Sequence, residues 1–396
     1  MKSKLFLLSL VALTLAFTAC NKNQDEPKST TDATISVAIK SADLRAYEDG
    51  AGDADMKVQT LAVMVYEGQA QIAYKEAATP GDLEVKDIET TAGTKTLLVV
   101  ANFAGTTFQG KSLTEALAMT HELGADDQDP TKGKHMLTSD ATTVTLKKGK
   151  NYYGYADGDG NHISKGAPMQ LKHIHAGMSF TSVAVEFSAQ YKTLYNVKFD
   201  NGAVMALIAK KQSKVFGTPL ANTDPNYLYG EKHFGQADNK YTPKEANYAL
   251  ESTLLLPITK NEDIVKTGIK GMGFYVLENS EATHPTILCL KGTLTQAGGA
   301  DLTPEQAKEA VEAGWIVSET DHSTFYPVLV NWEKDGYTFE GTTTKNGIVR
   351  NNKYQISLKI TGPGTNSPED PTQEKANLDV KCVVTPWNIV KQNVVW

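Results

Sequence analysis

The sequence predicts an all-β protein: two β-sandwich domains in tandem, with a few short helices. Three observations carry that prediction. Short runs with apolar residues at every second position recur along the chain, separated by Gly, Asp and Pro clusters. Helix signals are confined to two places. At 396 residues the chain exceeds what one core organises, so two domains are expected.

The clearest run is ATISVAIK at 33–40. Ala33, Ile35, Val37 and Ile39 fall on one face, and Thr34, Ser36 and Lys40 on the other, as in a half-buried strand. Further strands are expected at 58–66, 94–103, 143–146 and 151–155, with Lys147, Lys148, Gly149 and Lys150 as a hairpin turn. Others follow at 178–187, 204–209, 273–277, 286–291, 325–332, 353–360, 376–384 and 388–395. Ser112 and Glu115 form a capping box, opening a helix with Leu113, Leu117 and Met119 or Leu123 near one face. Thr303 caps a second helix, with Pro304 at the first position, where no amide donor is needed, running to about Ala313. The domain boundary is expected near residue 180, within about ten residues either way, giving sandwiches over 46–180 and 181–396.

Composition narrows the function classes. A formal net charge of -7 leaves no basic patch for nucleic acid. There is no nucleophile elbow, phosphate loop or His-Glu helix motif, so neither an enzyme nor a cofactor is expected. Asp157, Asp159 and Asn161 have the opening spacing of a calcium loop. That loop needs Gly at its sixth position and Glu at its twelfth, where His162 and Pro168 stand. A polar surface loop fits better. His173 and His175 would share a face if they lay in one strand and could form one edge of a metal site. No third ligand is spaced to join them, so histidines at a strand surface or domain junction are expected, and no metal.

The N-terminus carries export signals. Lys2 and Lys4 precede an apolar run over 5–17, too short to span a membrane and typical of a signal peptide over 1–19. Thr18-Ala19-Cys20 resembles the lipobox of bacterial lipoproteins, which implies a diacylglycerol on the Cys20 thiol and acylation of the new amine. Acyl chains anchor stably, at about 0.8 kcal/mol per buried methylene. Residues 21–32 are polar and serve as a tether. The body is then held to a membrane only through that lipid.

Arginine is scarce: only Arg45 and Arg350 occur. Arg45 follows ATISVAIK in a stretch of small and acidic residues with Gly50 and Gly52, the setting of a loop open to proteolysis. Either this scarcity is accidental, or an arginine-specific protease acts on the folded chain and stray arginines are kept out.

The C-terminal block, Asn352 to Asn366, a Pro-rich linker and Ala376 to Trp387, resembles the end of fimbrillins of the FimA/Mfa family, which build type V pili. The likeness extends through ATISVAIK, Leu61 to Tyr66, Gly273 to Asn279, Thr283 to Cys289 and Tyr326 to Asn331. It implies transthyretin-like sandwiches, an outer-membrane lipoprotein precursor, cleavage between Arg45 and Ala46 by an arginine-specific protease, and polymerisation by strand exchange. The propeptide would be 20–45, including Ile35, Val37 and Ile39 of the first strand. Implied partners are copies of the same chain, anchor and tip subunits and host surface proteins. The resulting extracellular fimbria would mediate adhesion to host cells and other bacteria. A monomeric glycan-binding surface lipoprotein and a surface hydrolase are the rival readings.

The donor is expected in the tail at 376–396, after a hinge at 361–375 rich in Gly and Pro. Leu378, Val380, Cys382 and Val384 share one face, and Ile389 and Val390 supply apolar side chains in a second strand. A Cys289–Cys382 disulfide would hold that tail back, so both thiols are expected to be free.

Overall fold

The structure is a computed structural model, and it describes residues 31–40, 58–129, 135–217, 227–230, 248–260, 273–334, 337–341, 345–369 and 378–386. It is a tandem of two β-sandwiches. Among the described residues no helix is long and apolar enough to cross a membrane.

In the first sandwich, one sheet runs Asn161–Ile163, Gly149–Tyr153, Ala33–Lys40, with Met169–Gln170 and Glu84–Thr90 also on Ala33–Lys40. The facing sheet runs Lys172–His173, Leu137–Thr138, Gly93–Ala101, Leu61–Glu67, Ala70–Glu76, with Thr142–Leu146 also on Gly93–Ala101. Leu61, Val63 and Val65 point into this sandwich beside Ile35 and Val37. Ala62, Met64 and Tyr66 point the other way, onto a cluster with Phe103, Phe108 and Ala116 of the helix Leu113–Ala118. Both faces of that strand are covered, so its sequence is continuously apolar rather than alternating.

The second sandwich pairs the sheet Gly273–Leu277, His175–Val185, Asn352–Ile360, Leu378–Pro386, Tyr337–Glu340 with another sheet. That sheet runs Tyr248–Leu250, Tyr227–Tyr229, Tyr195–Lys210, Ile287–Gln296, Ser323–Leu329, and Leu255–Ile258 also pairs with Tyr195–Lys210. Phe180, Phe199, Leu288, Leu290, Tyr326, Tyr354 and Ile356 fill the space between them.

Both capped helices form as their start signals specify. Ser112 and Glu115 exchange the two capping-box bonds, and Thr303 and Gln306 do the same ahead of Pro304–Glu312.

Three expectations change. Lys147 to Lys150 is not a hairpin turn. Thr142–Leu146 pairs with Gly93–Ala101 in one sheet and Gly149–Tyr153 with Ala33–Lys40 in the other, so the turn carries the chain across the sandwich. The strand Glu84–Thr90 escapes a period-two reading because a bulge, with Asp87 at φ 50°, sends Val85 and Ile88 inward although they are three apart. His175–Val185 lies wholly in the second sandwich, so the chain crosses between the sandwiches at Ile174; buried histidines obscured the start of that strand. Finally, residues 361–369 are not a loose linker. Phe325 and Thr365 exchange backbone bonds at 2.9 Å, and Asn366 donates to the Gly314 carbonyl at 2.9 Å. A Cβ on Gly364 would stand 2.4 Å from the Phe325 carbonyl, so only glycine fits that contact. Any hinge is confined to 370–377, outside the described residues.

Candidate functional site

The first strand is a central strand, not an edge. Ala33–Lys40 runs parallel to Gly149–Tyr153 on one side and antiparallel to Glu84–Thr90 on the other. Ile35 and Val37 are fully buried and Ile39 is 4% exposed, with Lys40 in solvent. Polar groups pin the backbone between these hydrophobic contacts. Asn151 donates from Nδ2 to the Thr34 carbonyl at 3.1 Å, and Ser36 accepts from the Asp87 N–H at 3.0 Å. At the N-terminal end Asp32 accepts from the Ala92 N–H through Oδ1 at 2.8 Å, and that bond holds its carboxyl below the usual carboxylate range.

Burial of Ile35, Val37 and Ile39 stabilises the domain by about 5–9 kcal/mol at 1.5–3 kcal/mol per side chain. This is the order of a whole domain's net stability, about 5–15 kcal/mol. Excising such a strand opens a slot lined by Val63, Val65, Leu97 and Val99 and leaves two rows of backbone groups without partners.

The residues expected to control that excision divide between described and undescribed parts of the chain. Cys20, Arg45 and Ala46 lie outside the described residues, as do Ile389 and Val390. Arg350 is described, and it sits in a closed network. Its Nε donates to Glu278 Oε2 at 2.9 Å, and its Nη2 donates to Glu278 Oε1, to Ser213 Oγ and to the Lys214 carbonyl. Its side chain is 13% exposed and that of Glu278 6%.

The tail strand Leu378–Pro386 lies in its own subunit's sheet. It pairs antiparallel with Asn352–Ile360 from Ile360↔Leu378 to Asn352↔Pro386, and parallel with Tyr337–Glu340. Val380 faces the second core, between exposed Asp379 and Lys381, and Lys381 is 2.7 Å from Glu340. Cys382 and Val384 occupy the register positions opposite Ile356 and Tyr354.

Cys289 is a free, buried thiol, and burial pushes its pKa up. It packs with Met205 and Phe325 on the outer face of its sheet, whereas its neighbours Leu288 and Leu290 face the sandwich interior. The strand that holds Cys382 belongs to the facing sheet of the same sandwich.

The seam between the sandwiches holds a cluster of buried polar groups. Thr120–Glu122 from the first pairs with Gln212–Lys214 from the second. The side chain of Gln128 closes two bonds with the Tyr275 backbone, at 2.8 and 3.0 Å. Asp127 accepts from His121 Nε2 at 2.8 Å and from His175 Nε2 at 3.0 Å. Burial alone would raise the Asp127 carboxyl, but these two histidine bonds outweigh it and hold the group well below its usual range. Burial also pushes His135 down to about 3. His173 and His175 do not share one strand: they lie in different sheets at the seam, and His175 groups with Asp127 and His121. Those partners are 48 and 54 positions away in sequence, which local spacing does not reveal. The loop at Asp157 to Gly160 is exposed, and no described residue completes it as a cation site.

Comparison with known proteins gives consistent matches. Residues 33–173 match the family model for the major fimbrial subunit protein (FimA), and residues 175–387 match the FimA4 pilin C-terminal domain. The chain is 44% identical over 407 residues to major fimbrium subunit FimA type-3 of Porphyromonas gingivalis, covering 100% of both. It is 42% identical over 408 residues to the type-4 subunit of that organism, again over 100% of both. A crystal structure of a fimbrilin from Porphyromonas gingivalis W83 superposes with a TM-score of 0.77 at 40% identity, covering 91% of this chain and 99% of that one.

Proposed function

The chain belongs to the FimA family of major fimbrial subunits, and from that premise we propose that it is exported as a lipidated precursor, cut once at Arg45 and polymerised by strand exchange. It is a structural subunit of an extracellular surface fimbria, not an enzyme. One observation carries the proposal: Ala33–Lys40 is a buried central strand, and Arg45 follows it after only residues 41–44 of the sequence. Removing it leaves a slot that a strand of matching length from a neighbour fills, restoring ladder bonds and burying alternate side chains. A donor from the C-terminal tail and a slot in the first sandwich are different parts of the chain, so the contact is heterologous and grows as an open filament.

Cys20 carries the lipid that delivers the precursor to the outer membrane, and cleavage at Arg45 releases the body from it. The fimbria mediates adhesion to host cells and other bacteria, with anchor and tip subunits completing the assembly. Of the two arginines, Arg350 is engaged at the domain seam, so a protease acting on the folded precursor meets Arg45 alone. The test is electron microscopy of the full-length chain before and after an arginine-specific protease. Filaments are expected only after cleavage, and none from Arg45→Ala. Filaments formed by uncut protein would overturn the reading.

A further inference from the structure

Four of the chain's eight histidines, His121, His135, His173 and His175, gather at the domain seam around one carboxylate, Asp127. No step of fimbrial assembly described above uses them. We propose that His121, Asp127 and His175 form a zinc site that joins the two sandwiches.

The donor set and its geometry carry this. His121 Nε2 and His175 Nε2 both face Asp127 Oδ1, at 2.8 and 3.0 Å, and the three ligand atoms lie within 4.8 Å of one another. Donors around tetrahedral zinc lie about 3.3 Å apart, given zinc–ligand bonds of about 2.0–2.2 Å. To admit the ion, the two nitrogen–oxygen distances must widen by a few tenths of an ångström, and the two Nε2 atoms, within 4.8 Å of each other, must settle at the same spacing. Two imidazoles and one carboxylate suit zinc. Calcium and magnesium are excluded by chemistry, because they take six or more ligands, predominantly oxygen.

Part of the support around the site is in place on the carboxylate and on one ring, while His175 Nδ1 has no partner among the described residues. The Gly124 N–H donates to Asp127 Oδ2 at 2.7 Å, which leaves Oδ1 directed at both rings. Such outer bonds orient a ligating carboxylate. His135 stacks on His175 with ring centres 5.1 Å apart, fixing that imidazole's plane. The ion would need both ligating rings protonated at Nδ1, so that their Nε2 lone pairs face it. His121 is the ligand that meets solvent. The His121 side chain is 13% exposed and lines a pocket of about 180 Å³ with Asn102, Thr106 and Met136, whereas Asp127 and His175 are 3% and 0% exposed. Water entering by that pocket completes the tetrahedron.

The ligands come from both halves. His121 sits on Thr120–Glu122 and Asp127 in the 3-10 turn Ala125–Gln128, both of the first sandwich, while His175 begins the first strand of the second. Zinc would thus cross-link the sandwiches at the seam, whatever happens to the first strand.

The test uses the full-length chain stripped of metal and titrated with zinc chloride by calorimetry, with cobalt chloride as a spectroscopic probe. Expected are about one ion per chain and the visible absorption bands of tetrahedral cobalt. His121→Ala, at the part-exposed rim of the site, should weaken zinc binding at least about tenfold, while His322→Ala, at a part-exposed position outside the site, should not. The metal-free His121→Ala melt, compared with that of the parent, checks that it folds, and Asp127→Asn should lose the cobalt bands. Absence of saturable binding, or full-strength binding retained by both site variants, overturns the proposal. Filament formation is not a readout, so a failure here leaves the assembly reading untouched.

Discussion

Arg350 straddles Glu278 at the domain seam, its Nε donating to Oε2 at 2.9 Å while Nη2 reaches Oε1 and the Lys214 carbonyl. An arginine-specific protease needs the guanidinium in its own pocket and several residues of extended backbone around it. Residues near Arg350 supply neither, because Asn351 donates to the His175 carbonyl at 2.7 Å and the side chain is ion-paired. Cleavage there requires local opening of the seam. Mass spectrometry of a native digest should show one early product, cut between Arg45 and Ala46, with the Arg350 site cut only after denaturation. Glu278→Ala should expose the second site and accelerate its cleavage. Equal rates at both arginines in the native parent would remove the basis for selectivity.

The first strand makes the next prediction. Val37 is fully buried between Gly149–Tyr153 and Glu84–Thr90, in a cluster of aliphatic side chains. Val37→Asp places an unpaired charge there and should cost more than about 3 kcal/mol. Urea unfolding should show the first sandwich melting early. A synthetic peptide spanning 31–40 should also occupy the slot of cleaved subunits and block filament growth in a dose-dependent way. Indifference of polymerisation to that peptide would argue against an open slot.

Sequence and structure agree best where burial is one-sided. ATISVAIK alternates cleanly, because one face meets the core and the other is only partly covered. The two helices were legible from their caps, since capping chemistry is local. Glu84–Thr90 was not, because its bulge breaks the alternation, and the buried loop at 361–369 was not, because Gly and Pro also serve close packing. The role of Arg350 and the grouping of His121, Asp127 and His175 depend on contacts across a domain seam. No local pattern encodes such contacts.

Lipidation is tested at Cys20. The small residues before it and the polar tether after it motivate acylation there. Cys20→Ala should accumulate as unprocessed precursor and leave cells without surface fimbriae, scored by radiolabelled palmitate incorporation and electron microscopy. Normal fimbriation by this variant would refute the export route.

The thiols give a simple check. Cys289 is buried on the outer face of its sheet, away from the strand that holds Cys382. Intact mass after alkylation under denaturing conditions should show both thiols free in filaments. Native protein should react at Cys289 far more slowly than unfolded protein. A Cys289–Cys382 bond in filaments would require a different packing of the second sandwich.

The donor itself is the hardest question, and the tail strand's position sharpens it. Val380 is 2% exposed in its own subunit's core, so Val380→Asp would damage that core as well as any intersubunit contact. It cannot separate folding from assembly. Truncation can. Removing 387–396 spares Leu378–Pro386 and its pairing with Asn352–Ile360. If Ile389 and Val390 enter the neighbour's slot, that truncation should give a folded, cleavable monomer that forms no filaments. Removing 376–396 should abolish assembly too, but with a destabilised second sandwich visible in the melt. A crosslink reports the same event directly. Val63 is fully buried in the cluster that holds Ile35 and Val37, so a cysteine there is covered until the first strand leaves. Val63→Cys combined with Ile389→Cys should therefore yield disulfide ladders only after cleavage at Arg45. Filaments of normal length from the 376–396 truncation would exclude the tail as donor. Filaments from the 387–396 truncation alone would assign donation to Leu378–Pro386, which must then leave its own sheet.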